Sequence, residues 1–137
     1  MIEVMRALAV GAGLIALAAS ASAQDAAGGD PNAGEEVFKK CRACHDVGPN
    51  AKNKVGPILT GIVGRPAGTI PGFSYSEANK SAGAKGLVWT EDVMFQYLED
   101  PRKFMPNTKM AFVGLKDPKD RKDVIAYLKQ FGPAPKQ

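Results

Sequence analysis

The most informative segment of the sequence is Cys41-Arg42-Ala43-Cys44-His45. The 137-residue chain has only two cysteines and one histidine, and all three lie within this stretch. On a helix, residues three and four positions apart share a face, so the two thiols and the imidazole project together. This arrangement suits two thioether bonds to a haem, with the imidazole reaching the iron, and the spacing is the attachment signal of c-type haem. The sequence therefore predicts one haem c, bound covalently through both cysteines.

Other uses of these three side chains fit less well. A structural zinc site needs four cysteine or histidine ligands, and the chain has only three such residues. A thioredoxin-like redox pair occurs next to a βαβ pattern, which the sequence lacks. A disulfide between Cys41 and Cys44 would close a very small loop and would add little stability.

The composition is that of one globular domain, with 45% hydrophobic and 23% charged residues. The formal net charge of +4 favours acidic partners. Nucleic acid is a poor candidate because the chain has no basic run of the length that marks a nucleic-acid patch.

The N-terminus has the pattern of an export signal. An uncharged, mostly apolar run from Ala7 to Ala23 ends in Ala21-Ser22-Ala23, a small-residue cleavage pattern. We expect a signal peptide at 1–23, a mature domain at 24–137 and a periplasmic location. The alternative is an uncleaved membrane anchor, although the 17 uncharged residues are near the lower limit for a span. No later apolar stretch is long enough to cross a membrane, so the mature protein is not expected to span one.

Start and stop signals predict three helices. Asp30 and Asp117 are N-cap candidates directly before a proline, and Thr90 precedes two acidic residues. The predicted helices run from Pro31 into the Cys-x-x-Cys-His motif, from Thr90 to Pro101, and from Pro118 to Gly132.

The segment from Asp46 to Trp89 is rich in glycine and proline. It contains no convincing alternating strand, and only a short helix is predicted, near Tyr75 to Ser81. So much irregular chain is unusual in a small domain. It is explained if the loops wrap a large apolar cofactor, and the fold class is then all-α.

The second axial ligand of the iron is methionine, lysine or absent, because His45 is the only histidine. Met94 lies on the apolar face of the predicted second helix, where core packing is the simpler interpretation. Met105 suits the filling of a gap between its neighbours. Met110 lies in a loop that can fold over the open haem face. Spacing favours Met110, with Met105 and an open sixth site as alternatives.

Further segments match a known pattern, in order, over essentially the whole mature chain. Besides the haem motif they are Val55-Gly56-Pro57, residues 71–80, Trp89, Thr108-Lys109-Met110 and residues 121–128. These segments resemble mitochondrial cytochrome c and its bacterial relative cytochrome c2. The resemblance implies the class I cytochrome c fold, with helices around one buried haem, and it implies that Met110 is the second axial ligand. The region from Lys80 to Trp89 is a few residues longer than in the mitochondrial form.

The resemblance also implies contacts around the two axial ligands. The carbonyl group of Pro57 would accept a hydrogen bond from the ring of His45. Tyr97 and Thr108 would lie beside the sulfur of Met110.

At the other end of the haem, Arg65, Tyr75 and Trp89 would bind the propionates, and Asn79 would bind an internal water. Gly34 would allow the first helix to approach the last one closely.

As to function, the resemblance implies an electron carrier rather than an enzyme. It would accept single electrons from a cytochrome bc1-type complex and pass them to a photosynthetic reaction centre or a terminal oxidase, as a monomer that docks transiently. An open sixth site would instead indicate a gas sensor. The expected docking surface is a ring of basic residues around the exposed haem edge, namely Lys40, Lys52, Lys54, Arg102, Lys103, Lys109 and Lys116.

Overall fold

The structure is a computed structural model that describes residues 28–133, so the predicted signal peptide at 1–23 lies outside the described residues. Between residues 28 and 133 the chain forms helices and loops, and its only β contact is an isolated bridge between Pro66 and Val88. The all-α prediction is confirmed. The helices are α1 (Pro31–Phe38), α2 (Glu77–Ala84), α3 (Glu91–Glu99), α4 (Pro101–Phe104) and α5 (Pro118–Leu128).

The predicted N-caps are present, and each one bonds to a backbone N–H group two or three residues further along the chain. The side chain of Asp30 accepts a hydrogen bond from the Asn32 N–H at the start of α1, and Asp117 caps α5 in the same way. Thr90 accepts from the Val93 N–H at the start of α3. Each cap satisfies a backbone donor that has no partner inside the helix.

The predicted ends of the first and last helices are wrong, and α5 stops at Leu128 instead of Gly132. The helix of α1 ends at Phe38 and does not run through the haem motif. The motif is a turn in which the His45 N–H donates to the Cys41 carbonyl at 2.9 Å. Pro101 does more than end α3: it also begins α4, because it needs no N–H at the first helical position and Asp100 caps the new turn.

The short helix predicted near Tyr75 begins at Glu77 instead and extends to Ala84. Its start is fixed by Ser76, whose hydroxyl accepts a hydrogen bond from the Asn79 N–H at 3.0 Å. Tyr75 and Ser76 are therefore extended residues at the entrance of α2, and both are buried.

The first and last helices cross at Gly34, as the resemblance implies. A Cβ atom at Gly34 would lie 1.9 Å from the Asp123 carbonyl oxygen, so no larger residue fits without moving the backbone. Beside this crossing the rings of Phe38 and Tyr127 pack with their centroids 5.3 Å apart. The Asp123 carboxylate adds a polar tie by accepting the Asp30 N–H at 2.8 Å.

The loops that follow α1 and α4 lie beside this helical frame and complete the core. Among residues 28–133, no helix combines the length and the apolar character needed to traverse a bilayer.

Candidate haem site

A cavity of about 320 Å³ is enclosed by the loops together with α3 and α5. Every cofactor residue predicted from the sequence lines it, although these residues are spread over most of the described chain. They are Cys41, Cys44, His45, Pro57, Arg65, Tyr75, Asn79, Trp89, Tyr97, Thr108 and Met110. The rest of the lining is mostly apolar, from Leu59 and Ile62 in the loops to Val124 and Leu128 on α5.

His45 is held in one orientation by the chain that follows it. Its Nδ1 lies 2.7 Å from the Pro57 carbonyl oxygen, which can only accept, so Nδ1 carries the proton and Nε2 is left with a lone pair. Burial lowers the pKa of His45, although the hydrogen bond to Pro57 acts in the opposite direction. The neutral imidazole with a free Nε2 is the form that binds a metal.

Gly56 makes this arrangement possible. A Cβ atom at this position would lie 2.4 Å from Cε1 of the His45 ring, so only glycine allows the backbone to pass the imidazole this closely. The Val-Gly-Pro segment therefore supplies both the space for the ring and its hydrogen-bond acceptor.

The two cysteines lie at the edge of the cavity, Cys41 half-buried and Cys44 exposed. Burial raises the pKa of the Cys41 thiol to about 11, against a smaller opposite effect of Lys40. Redox-active dithiols have a lowered pKa. The thiol environment thus disfavours the redox-pair interpretation.

Met110 is held at its sulfur and at its backbone. The Tyr97 hydroxyl donates to Sδ at 3.2 Å, and the Met110 N–H donates to the Thr108 hydroxyl oxygen at 3.3 Å. Burial raises the pKa of Tyr97, so its hydroxyl remains a neutral donor. Met105 is 5% exposed in the core and does not line the cavity. Met94 lines it from α3 but is packed in the core as expected.

Two buried polar atoms in the cavity wall, Arg65 Nε and Asn79 Oδ1, have no hydrogen-bond partner among the described residues. The Arg65 guanidinium otherwise donates to the carbonyl groups of Ile58 and Thr60 at 3.0 and 3.3 Å. Buried polar atoms are rarely left unpaired. A free donor of this kind suits a carboxylate, and a free acceptor suits a water, so both atoms fit the propionate end of a haem.

Comparison with known proteins agrees with this geometry. The family model described as cytochrome c matches residues 31–132. This chain belongs to the cytochrome c family. Cytochrome c2 of Blastochloris viridis is 54% identical over 122 residues, which cover 87% of this chain and 90% of that protein.

Two solved structures share the fold. Cytochrome c2 of Rhodospirillum centenum is 55% identical, covers 77% of this chain and all of its own chain, and superimposes with a TM-score of 0.72. Cytochrome cH of Methylobacterium extorquens is 47% identical, covers 74% of this chain and 99% of its own, and has a TM-score of 0.68. The chain is thus a class I c-type cytochrome similar to bacterial cytochrome c2. It is a monohaem electron carrier with one haem c attached through Cys41 and Cys44.

The mouth of the cavity is marked by those lining residues of the cytochrome that are exposed. They are Lys40, Cys44, Val55, Lys109 and Ala111. Two of the seven predicted docking residues, Lys40 and Lys109, therefore border the opening directly. The other five are exposed but do not line the cavity, namely Lys52, Lys54, Arg102, Lys103 and Lys116.

The sequence reasoning missed two structural features at and near the cavity of this cytochrome. Val55 is 79% exposed at the mouth, and Val113 is 80% exposed in the loop after Met110, so apolar surface accompanies the basic residues. Their positions next to Gly56 and Gly114, in segments that approach the cavity, were the available signal. Ser76 also lines the cavity and was not singled out.

Proposed function

We propose that this cytochrome is a periplasmic one-electron carrier in which His45 and Met110 occupy the two axial positions of the haem iron. One observation supports this most directly. His45 and Met110 line the same cavity as the two cysteines, and each is fixed by a hydrogen bond, from His45 Nδ1 to the Pro57 carbonyl and from the Tyr97 hydroxyl to Met110 Sδ.

The haem supplies a reversible one-electron couple of its iron. The side chains determine how that couple behaves. The thioether of Met110 is a soft neutral donor that favours the reduced state, and an apolar surrounding disfavours the extra charge of the oxidised state. With both axial positions held by the chain, no substrate reaches the iron, which fits a carrier and not an enzyme.

The remaining lining residues are assigned by the same proposal. The propionates are held by Arg65, Tyr75 and Trp89. Among these three residues, Arg65 has a buried Nε without a hydrogen-bond partner among the described residues, and this N–H donates to a propionate. Asn79 Oδ1 binds an internal water. Thr108 orders the loop by accepting the Met110 N–H, and it lies 3.5 Å from the Tyr97 hydroxyl.

Location and partners complete the proposal. Residues 1–23 are removed as a signal peptide and residues 24–137 act as a monomer in the periplasm, which the Ala21-Ser22-Ala23 pattern and the similarity to bacterial cytochromes c2 support. The donor is a cytochrome bc1-type complex, and the acceptor is a photosynthetic reaction centre or a terminal oxidase. Docking is transient and electrostatic at the mouth bordered by Lys40 and Lys109.

Absorption spectra of the haem-bearing protein test the ligation. The oxidised protein should show the weak band at the red end that reports a methionine–iron bond, and Met110→Ala should abolish it and allow the reduced protein to bind carbon monoxide. Met105→Ala is the control, because it removes a buried methionine outside the cavity wall and should retain the band. A band that persists in Met110→Ala and disappears in Met105→Ala would transfer the assignment to Met105.

A further inference from the structure

Arg121, in the first half of α5, is a buried cation with an unusual set of partners. The residue is 5% exposed, and its guanidinium donates to the Leu115 and Lys116 carbonyl oxygens at 2.6 and 3.2 Å. The guanidinium carbon also lies 4.3 Å from the centroid of the Phe95 ring on α3. Arg121 therefore joins three parts of the fold: α5, α3 and the loop between α4 and α5.

The nearest carboxylate does not explain this burial. Glu99 Oε2 is 3.9 Å from Arg121, at the limit of an ion pair, and the Glu99 side chain is 61% exposed. Such a pair contributes little. The two short hydrogen bonds to main-chain carbonyls are the main contacts of the charge, and charge-assisted bonds of this type are the stronger ones.

The carbonyls that Arg121 holds belong to the loop that presents Met110. The same end of that loop is tied to the last turn of α3, because the Leu115 N–H donates to the Leu98 carbonyl at 2.7 Å. The Lys116 ammonium likewise donates to the Glu99 carbonyl at 2.7 Å. The loop is thus clamped between α3 and α5 only a few residues after Met110.

We infer that Arg121 is a positioning residue for the axial ligand: by fixing the Leu115 and Lys116 carbonyls it keeps the loop closed and Met110 on the iron. The inference rests on the proposed ligation by Met110. Arg121 acts through the loop and does not line the cavity. Lysine does not replace it, because an ammonium group lacks the flat face that stacks on Phe95 and is a more strongly hydrated charge that is less suited to burial.

The test compares the haem-bearing variants Arg121→Lys and Ile125→Val with the wild type. Ile125 is fully buried on the same helix and does not line the cavity, so its truncation lowers global stability while the Arg121 hydrogen bonds to the loop are kept. Imidazole is the probe, because it competes for the sixth position of the oxidised protein. Its apparent affinity rises with the fraction of molecules in which Met110 has left the iron.

Arg121→Lys should bind imidazole about tenfold more tightly than the wild type, as expected when a charge-assisted contact of the closed loop is lost. Ile125→Val should bind it with wild-type affinity even though denaturant unfolding shows that both variants are less stable. Equal imidazole affinity in all three proteins would overturn the inference and leave Arg121 a purely structural residue. A wild-type spectrum without the methionine–iron band would instead overturn the ligation itself, so the two failures are distinguishable.

Hydrogen exchange of the holoproteins gives a second measurement. The Leu115 N–H is bonded to the Leu98 carbonyl, so the measurement compares variants and does not use the wild type alone. If Arg121 clamps the loop, Arg121→Lys should speed exchange of the Leu115 amide more than exchange of the amides in the middle of α5. An equal change at both places, or no change at Leu115, would show that Arg121 contributes only to global stability, and would contradict the inference.

Discussion

The hydroxyl of Tyr97 donates a hydrogen bond to the sulfur of Met110 over 3.2 Å, which links α3 to the loop between α4 and α5. A donor at this sulfur withdraws electron density from it and weakens its donation to iron. The oxidised iron depends more on electron donation from its ligands than the reduced iron does, so a weaker sulfur donor favours the reduced state further. The hydroxyl therefore raises the reduction potential. Its raised pKa keeps it a donor at neutral and moderately alkaline pH.

Tyr97→Phe should therefore lower the reduction potential. If the bond is stronger by about 1 kcal/mol in the reduced state than in the oxidised state, its loss corresponds to a fall of about 40 mV for a one-electron couple. A spectroelectrochemical titration measures this. Tyr127→Phe is the control, because Tyr127 is buried but does not line the cavity. The reduction potential of this variant should equal that of the wild type. An unchanged or raised potential in Tyr97→Phe would contradict the prediction.

Gly34→Ala should destabilise the protein by about 1 to 3 kcal/mol, because overpacking outweighs the better helix propensity of alanine. The new methyl group would meet the Asp123 carbonyl at 1.9 Å, and the backbone of α1 or α5 has to move. Denaturant unfolding followed by far-UV circular dichroism gives the free energy. At Gly132 a Cβ atom would meet nothing within 4 Å, so Gly132→Ala should change stability by less than about 0.5 kcal/mol. Equal effects of the two substitutions would show that the helix crossing tolerates a side chain.

Asp123 should make stability depend on pH in the acid range. Burial by itself would raise the pKa of Asp123, but hydrogen bonds from the Lys119 ammonium and the Asp30 N–H lower it overall. The ionised form therefore stabilises the fold at any pH above the unfolded pKa of about 4, and this stabilisation is lost as the pH falls through the lower folded pKa.

Asp123→Asn should cost about 1 to 3 kcal/mol at pH 7, in the range for a hydrogen bond to a charged group. The difference from the wild type should shrink as the solution is acidified below pH of about 4. Unfolding curves at several pH values measure it, with Asp120→Asn as control, since Asp120 is on the same helix and forms only a long 3.7 Å pair with Lys40. A constant difference between Asp123→Asn and the wild type from neutral to acid pH would refute the assignment.

Lys40→Gln should slow electron transfer to an acidic partner about threefold at low ionic strength, because one charge is lost at the mouth of the cavity. The rate of the wild type should fall as salt is added, and the gap between the two proteins should close. Stopped-flow mixing with a reaction centre or an oxidase gives both rates. Lys85→Gln removes an exposed lysine that does not border the mouth and serves as control. Rates that do not change between low and moderate salt would count against electrostatic docking.

Local signals were enough to predict most of the helices. The caps Asp30, Thr90 and Asp117 work through the nearest backbone donors, so each could be inferred from its neighbours in the sequence. The end of α1 and the start of α4 were missed. Both helix boundaries depend on how the chain turns toward the cavity, and the spacing of apolar residues in the sequence does not predict such turns.

More of the site than of the surrounding fold could be predicted from the sequence. The residues from Cys41 to Met110 were assigned by the motif and by resemblance, and the cavity brings them together. Arg121 was noticed only as part of a matching segment. Its contacts with Leu115 and Lys116 arise from the packing of a loop against two helices, so they could not be derived from residue spacing.

The crossing of α1 and α5 at Gly34 has a consequence for the order of events during maturation. The partner of Gly34 is residue 123 on the last helix, so this surface of α1 has no partner until α5 packs on it. Throughout that interval Cys41 and Cys44, just beyond α1, belong to a chain that has not yet closed. A haem can be attached to these cysteines while the polypeptide is open, and the packing of the C-terminal helix on α1 then encloses it.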